Sequence, residues 1–269
     1  MYIESFKNFL RRDNVKQKLK FYFILFVIVI VLAFALFTVM KYQVEGEKEV
    51  PFKLGKIIVI SSAATTEVTE ENTEQIDSTE QSEEENYLWK EKVVQTNDVY
   101  IYLDKNKEFK EEQSIKKVKI ENIKILENVK VGKIQVYMPN SLEDGLYKYT
   151  NEFIVNSSLT YIGASTDNKK ALEICNQGGC VCISFANMGL GEYKSNDDVE
   201  ITQDASILEK MNIANEDLKF KVSFDLIIEV NDKSYITNLV LELPIDEVVG
   251  QKETHKEITD FSNVIFKRL

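Results

Sequence analysis

The stretch "KFKVSFDLIIEVNDKSYITNLVLELP", Lys219 to Pro244, decides the fold. Phe220, Val222, Phe224, Leu226, Ile228 and Val230 share one face of an extended chain, opposite Lys221, Ser223, Asp225 and Glu229, with Ile227 the exception. "NDKS" at 231–234 makes the turn, and Tyr235, Thr237, Leu239, Leu241 and Leu243 keep the same period on the way back. Successive side chains of a strand point to opposite faces, so this pattern predicts a β-hairpin with one side laid on a core.

The same alternation recurs upstream. "PFKLGKIIVISS" at Pro51 to Ser62 is apolar and β-branched and reads as a first strand. Val99, Ile101 and Leu103 point one way in "NDVYIYLD", and Ile134, Val136 and Met138 do so in "GKIQVYMP". In "IKKVKIENIKIL" the apolar positions are Val118 and Ile120, then Ile123 and Ile125. Helical spacing outside the N-terminal region is confined to "DASILEKMNIANEDL", where Ile207, Leu208 and Met211 suggest one short connecting helix. Many short strands and few helices predict an antiparallel β-sandwich, in which each sheet hides one face against the other. With three prolines and ten glycines in 269 residues, Asn, Asp and Lys must supply many of the turns.

The N-terminal region is of another kind. Phe21 to Met40 reads "FYFILFVIVIVLAFALFTVM", without charge, glycine or proline. At about 1.5 Å per residue such a helix covers the roughly 30 Å hydrocarbon core of a bilayer, and it satisfies its own backbone donors there. Before it stand Lys7, Arg11, Arg12, Lys16, Lys18 and Lys20 against Glu4 and Asp13. The Lys and Arg excess stays in the cytoplasm, which predicts residues 1–20 inside, a transmembrane helix at 21–40, and residues 41–269 outside. Ala33-Phe34-Ala35 has the small-x-small form of a signal-peptidase site and gives the competing reading of a cleaved, secreted chain. The triplet lies inside a continuing apolar run, so a retained signal-anchor is the expectation.

The chain carries a net charge of −11; its first twenty residues hold +4, which leaves −15 on the rest. So acidic a surface repels phosphate backbones, and nucleic acid is not an expected partner. Within it, "SSAATTEVTEENTEQIDSTEQSEEEN" at 61–86 has nine acidic residues, no basic ones, and only Val68 and Ile76 as sizeable apolar groups. It cannot bury enough apolar surface to offset its ordering entropy and reads as a disordered acidic loop, a spacer rather than a binding tract for cations or a basic partner.

No residue set announces catalysis, a cofactor or a metal. His255 is the sole histidine, in the polar "QKETHKEITD", and reads as a solvated loop residue. "GASTD" at 163–167 lacks the second glycine of a nucleophile elbow. "GLGEYKS" at 189–195 has Tyr193 where a phosphate loop needs glycine. "NDDVE" at 196–200 starts like a calcium loop, but Ile201 and Ile207 stand where glycine and glutamate belong. All three cysteines lie in "CNQGGCVC". Read as a strand, a four-residue loop and a returning strand, this places Cys175 opposite Cys180 at disulfide distance, with Cys182 on the face of Cys180. Outside the cytosol such a bridge persists, and it would add roughly 2 kcal/mol by loop closure. Three free buried thiols are the alternative; a metal or redox role ranks below both, since the ligand count and the spacing of zinc and thioredoxin motifs are absent.

"KYQVEGEKEVPFKLGKIIVISS" directly after a lone apolar helix, with the ending "ITDFSNVIFKRL", resembles uncharacterised single-pass membrane proteins of low-GC Gram-positive, clostridia-like bacteria. The resemblance implies a membrane address and carries over no site. The expected function is binding or scaffolding of a protein or other envelope component by a membrane-anchored, non-enzymatic β-domain. The alternatives are an envelope hydrolase using a pair of Asp and Glu side chains, or a membrane sensor or regulatory subunit. The expected partners are the bilayer, through residues 21–40, and another envelope or membrane protein.

Overall fold

The computed structural model describes residues 13–43, 50–66, 89–106, 115–139, 147–162, 172–173, 179–195 and 204–269. Helix α1, Asp13–Gln43, carries the apolar run. Between Lys20 and Lys41 it is long and apolar enough to cross a membrane, and none of that span is buried against the rest of the chain.

Two antiparallel sheets follow. The first contains β1 (Phe52–Thr66), β2 (Trp89–Lys105), β4 (Lys133–Tyr137), β7 (Gly179–Met188), β8 (Glu192–Ser195) and β11 (Thr254–Ile258). Its order is β11-β1-β2-β7-β4, with β8 on the far part of β2. The second contains β3 (Ile115–Glu127), β5 (Ser158–Ile162), β6 (Leu172–Glu173), β9 (Phe220–Val230), β10 (Lys233–Leu243) and β12 (Lys267–Arg268), in the order β12-β10-β9-β3-β5-β6. Among the described strands only the short β5–β6 pair is parallel.

The inner faces make one core. Phe220, Val222, Phe224, Leu226, Ile228 and Val230 are all buried, and so are Tyr235, Leu239, Leu241 and Leu243, against Ile57, Val59, Val99, Ile101, Val181, Ile183 and Phe185 of the first sheet. The expected hairpin is β9–β10, but its turn is tighter than "NDKS": Lys233 already pairs with Val230, and Asn231 adopts φ 53° to close a two-residue connection.

Two changes of parity in the sequence are β-bulges. Val118 and Ile120 face the core at even positions, and Ile123 and Ile125 at odd ones; the ladder shifts between Glu121 and Lys124, with Asn122 at φ 53°. In β1 the switch from Phe52 and Leu54 to Ile57 and Val59 occurs at Gly55, where a Cβ would stand 2.4 Å from an Asp104 carboxylate oxygen.

β1 also corrects the boundary of the acidic loop. It runs on to Thr66, pairing Ser61 to Thr66 with Asn97 to Lys92, with Ser61 and Ala63 buried. Residues 67–86 of that stretch lie outside the described residues. The extension covers a second apolar cluster of Ala63, Val93, Leu190, Ala205, Ile207, Leu208, Leu218 and Val248. The single helix expected there is two: α2 (Ser206–Lys210) and α3 (Asn215–Leu218), divided by Asn212 at φ 55°. Between the two apolar clusters lies a buried polar belt. The Ser61 hydroxyl donates to Asn97 Oδ1 at 2.8 Å, and the Asn97 amide donates to Gln95 Oε1 and to the Phe185 carbonyl, each at 3.2 Å.

Candidate functional site

With odd-numbered residues of β2 and β7 turned to the core, the even-numbered ones form a ladder on the outer face of the first sheet. Asp98 stands opposite Ser184, Tyr100 opposite Cys182, and Tyr102 opposite Cys180. The segment 147–155 lies along β4, with Met138 N donating to the Phe153 carbonyl at 2.9 Å and Val155 N to the Val136 carbonyl at 2.8 Å. It brings Tyr147, Tyr149, Phe153 and Ile154 onto Tyr137, Val94 and Ala186 of the outer face. Tyr149 meets the Tyr137 ring edge-on at 5.2 Å and stacks with Tyr147 at 6.4 Å.

This cover desolvates Asp98. Burial pushes its carboxyl up from the ordinary 3.8 to about 6, against the hydroxyls of Ser184 and Tyr149, which favour the charged form. Neither Asp98 Oδ1 nor Ser184 Oγ meets the geometry of a full hydrogen bond, and the buried Tyr147 hydroxyl also lacks a partner. The Tyr100, Tyr147 and Tyr149 phenols are all raised, first by burial and next by the Asp98 charge. The site is therefore a single carboxyl, raised by burial, in a shell of hydroxyls rather than a pair of carboxylates.

Further along the ladder the face opens. Lys56 Nζ lies 5.2 Å from the centre of the Tyr102 ring and 3.2 Å from Glu257 Oε2. Cys180 Sγ is 3.6 Å from Cys182 Sγ, a hydrogen-bonded contact. That bond and the Tyr102 hydroxyl hold the Cys180 thiol below its ordinary value, against burial. β4 pairs with β7 only as far as Tyr137 and Ser184, and beyond that point Tyr161 of the opposite sheet completes the edge. Its hydroxyl accepts from Cys182 N at 2.9 Å and donates to the Cys182 carbonyl.

A concavity of about 580 Å³ lies where β9 begins and β10 ends. Phe220, Leu243, Pro244 and Ile245 line its apolar part, and Glu127, Lys130, Glu216, Lys219, Lys221 and Glu242 its charged part. Its acids are paired: Lys221 with Glu242 at 3.0 Å and Glu127 at 3.9 Å, Lys219 with Glu216 at 3.3 Å. Lys219 holds the Glu216 carboxyl below its ordinary value, in the charged form.

Of the residues singled out in the sequence, Cys180 and Cys182 share a face as expected. Cys175, and with it the pairing of Cys175 with Cys180, lies outside the described residues, as do "GASTD" and "NDDVE". The described residues just before the cysteine stretch, Leu172–Glu173, pair with β5 in the second sheet, while Cys180 lies in β7 of the first. His255 is exposed but sits in edge strand β11 opposite Ile60, not in a loop. Gly189 and Gly191 of "GLGEYKS" take φ 75° and 123° in the turn from β7 to β8. Among the described residues no three His, Cys, Asp or Glu side chains converge as a metal set. Asp98, Ser184 and Tyr147 are not apparent in the sequence: alternation marks Asp98 as outward, but only the tertiary placement of Tyr147 and Tyr149 makes outward mean covered. Compared with protein families, curated proteins and solved structures, the chain matches none.

Proposed function

We propose that the protein is a membrane-anchored, extracytoplasmic β-sandwich that binds another envelope component, a protein or a polymer, at the end of the sandwich remote from its anchor. One relationship carries the reading. The chain enters the sandwich at Phe52, whose ring packs edge-on against Tyr235 and Phe266 at the turn end of β9–β10. The groove at Phe220 and Leu243 lies at the opposite end of those strands, eight residues on from Tyr235 and so about 26 Å away at 3.3 Å per residue. A groove with an apolar floor and a rim of both charges, held away from the bilayer, suits capture of a partner. The basic flank of α1 supports the inside-to-outside orientation, and the resemblance to membrane proteins of Gram-positive bacteria agrees with a cell-membrane address. The hydrolase alternative asks for two carboxylates of divided pKa across a pocket; the groove's acids are each tied to lysine, and Asp98 is ringed by hydroxyls.

The test is cross-linking in intact cells followed by detergent capture of the full chain. The wild type should retain a specific partner that is lost with Lys130→Glu/Lys219→Glu, which reverses the rim without touching the core. Repeated captures without a partner, or one equally retained by the charge-reversed chain, would overturn the reading. Digestion of intact cells by external protease reports the orientation separately: a C-terminal domain that stays whole while shown to face the cytosol removes the extracytoplasmic role.

A further inference from the structure

We propose that Cys180 and Cys182 form a thiol–disulfide exchange site, in which Cys180 attacks a disulfide presented at the outer face of the first sheet and Cys182 resolves the product. The two residues are i and i+2 on β7 and therefore share a face. Their sulfurs already touch at 3.6 Å, and closing an S–S bond of about 2.05 Å draws the two residues closer than their extended spacing. Cys180 is partly exposed and Tyr102 stands opposite it across the ladder, so a reagent approaching that face meets Cys180 beside a phenol. The Cys182 contact and the Tyr102 hydroxyl both favour the Cys180 thiolate, the nucleophilic form. The Tyr161 hydroxyl, bonded to the amide and carbonyl of Cys182, holds the second cysteine in place where β4 no longer pairs with the strand.

The chemistry balances with a disulfide as co-reactant. The Cys180 thiolate forms a bond to one sulfur of RS–SR′; the S–S bond breaks, and R′S⁻ leaves and takes a proton. Cys182 loses its proton and attacks Cys180 Sγ, expelling RS⁻. The pair is oxidised to a disulfide, two electrons pass to the partner, and the partner leaves as two thiols. The reverse sequence hands the disulfide to a substrate dithiol.

The probe is the chromogenic disulfide dithiobis(nitrobenzoate), applied to the full chain in detergent with Cys175→Ser. Two chromophores should be released per chain, leaving a protein lighter by two hydrogens and carrying no adduct. Adding Cys182→Ser should give one release and a stable adduct on Cys180. Adding Cys180→Ser instead should slow the reaction about tenfold, the attacking thiol being gone. Stable adducts on both cysteines, equal rates for the two single-thiol chains, or no reaction would overturn the proposal. If Cys175→Ser disturbs folding, peptide mass mapping of the oxidised wild type discriminates in the same way: a Cys180–Cys182 bridge supports the proposal, and a Cys175–Cys180 bridge or separate adducts overturn it.

Discussion

Asp98 and Ser184 stand directly opposite each other on neighbouring strands, yet their side chains leave Asp98 Oδ1 and Ser184 Oγ without a full hydrogen bond in a buried setting. A carboxyl so placed is easier to keep neutral than charged, which is why burial lifts it to about 6. Its folded value exceeds the unfolded one, so the folded state holds more protons between pH 3.8 and about 6. Stability from this group is fully present below the unfolded value, falls as pH rises through the folded value, and levels off above it. The full difference is about 3 kcal/mol. Asp98→Asn should flatten that part of the profile and stabilise the protein at neutral pH by up to about that amount, measured as urea midpoints across pH. A variant profile parallel to that of the wild type would show that Asp98 is not the titrating group.

The Tyr161 hydroxyl is bonded to both the amide and the carbonyl of Cys182. Tyr161→Phe keeps the ring in the core and removes both bonds from that main-chain pair. The expected loss is about 1–3 kcal/mol in denaturant melts. Tyr102→Phe, on the more open part of the ladder, should change stability far less while slowing disulfide exchange at Cys180. Equal stability of the Tyr161→Phe chain and the wild type would refute the bracing role of that hydroxyl.

Gly132 precedes β4 at φ 88°, and a Cβ there would stand 2.1 Å from Asn187 Oδ1 and 2.8 Å from the Met188 carbonyl oxygen. The Asn187 amide meanwhile donates to the Val131 carbonyl at 2.9 Å, so this side chain cannot swing away cheaply. Gly132→Ala should cost at least about 2 kcal/mol, from the disfavoured backbone together with the clash. A thermal midpoint unchanged from wild type would contradict the close approach.

Ile30 lies midway along the apolar span of α1. Val27→Arg/Ile30→Arg/Val31→Arg places three charges near the bilayer centre, at roughly 2.5–3.5 kcal/mol each on an insertion scale, together enough to offset the roughly 0.3–0.6 kcal/mol that each apolar residue of the run contributes. The variant should shift from the membrane to the soluble fraction after alkaline extraction, or fail to accumulate. Full retention in the membrane would mean that something other than this helix holds the protein there.

Much of the sandwich is legible in the sequence because strand alternation is a local property. Phe220 to Val230 announce their core face one residue at a time, and even the bulges at Gly55 and Asn122 show as a change of parity. The apolar run of α1 is equally plain, since it needs no partner to satisfy its backbone. What lies outside each strand is not legible. Ser61 to Thr66 read as part of a polar loop but pair with β2, because pairing is set by the neighbouring strand and not by composition.

Sequence alone determined which side chains turn inward, where a helix long and oily enough to span a bilayer occurs, and that the domain is built of antiparallel sheets. Tertiary structure alone decided that the outward Asp98 is covered, that Ser184 is its neighbour, and that Tyr161 crosses from the other sheet to close the edge at Cys182. The reason is range: periodicity is written in residues one or two apart, whereas desolvation and hydrogen bonding depend on segments some twenty to ninety positions away that only the folded chain brings together.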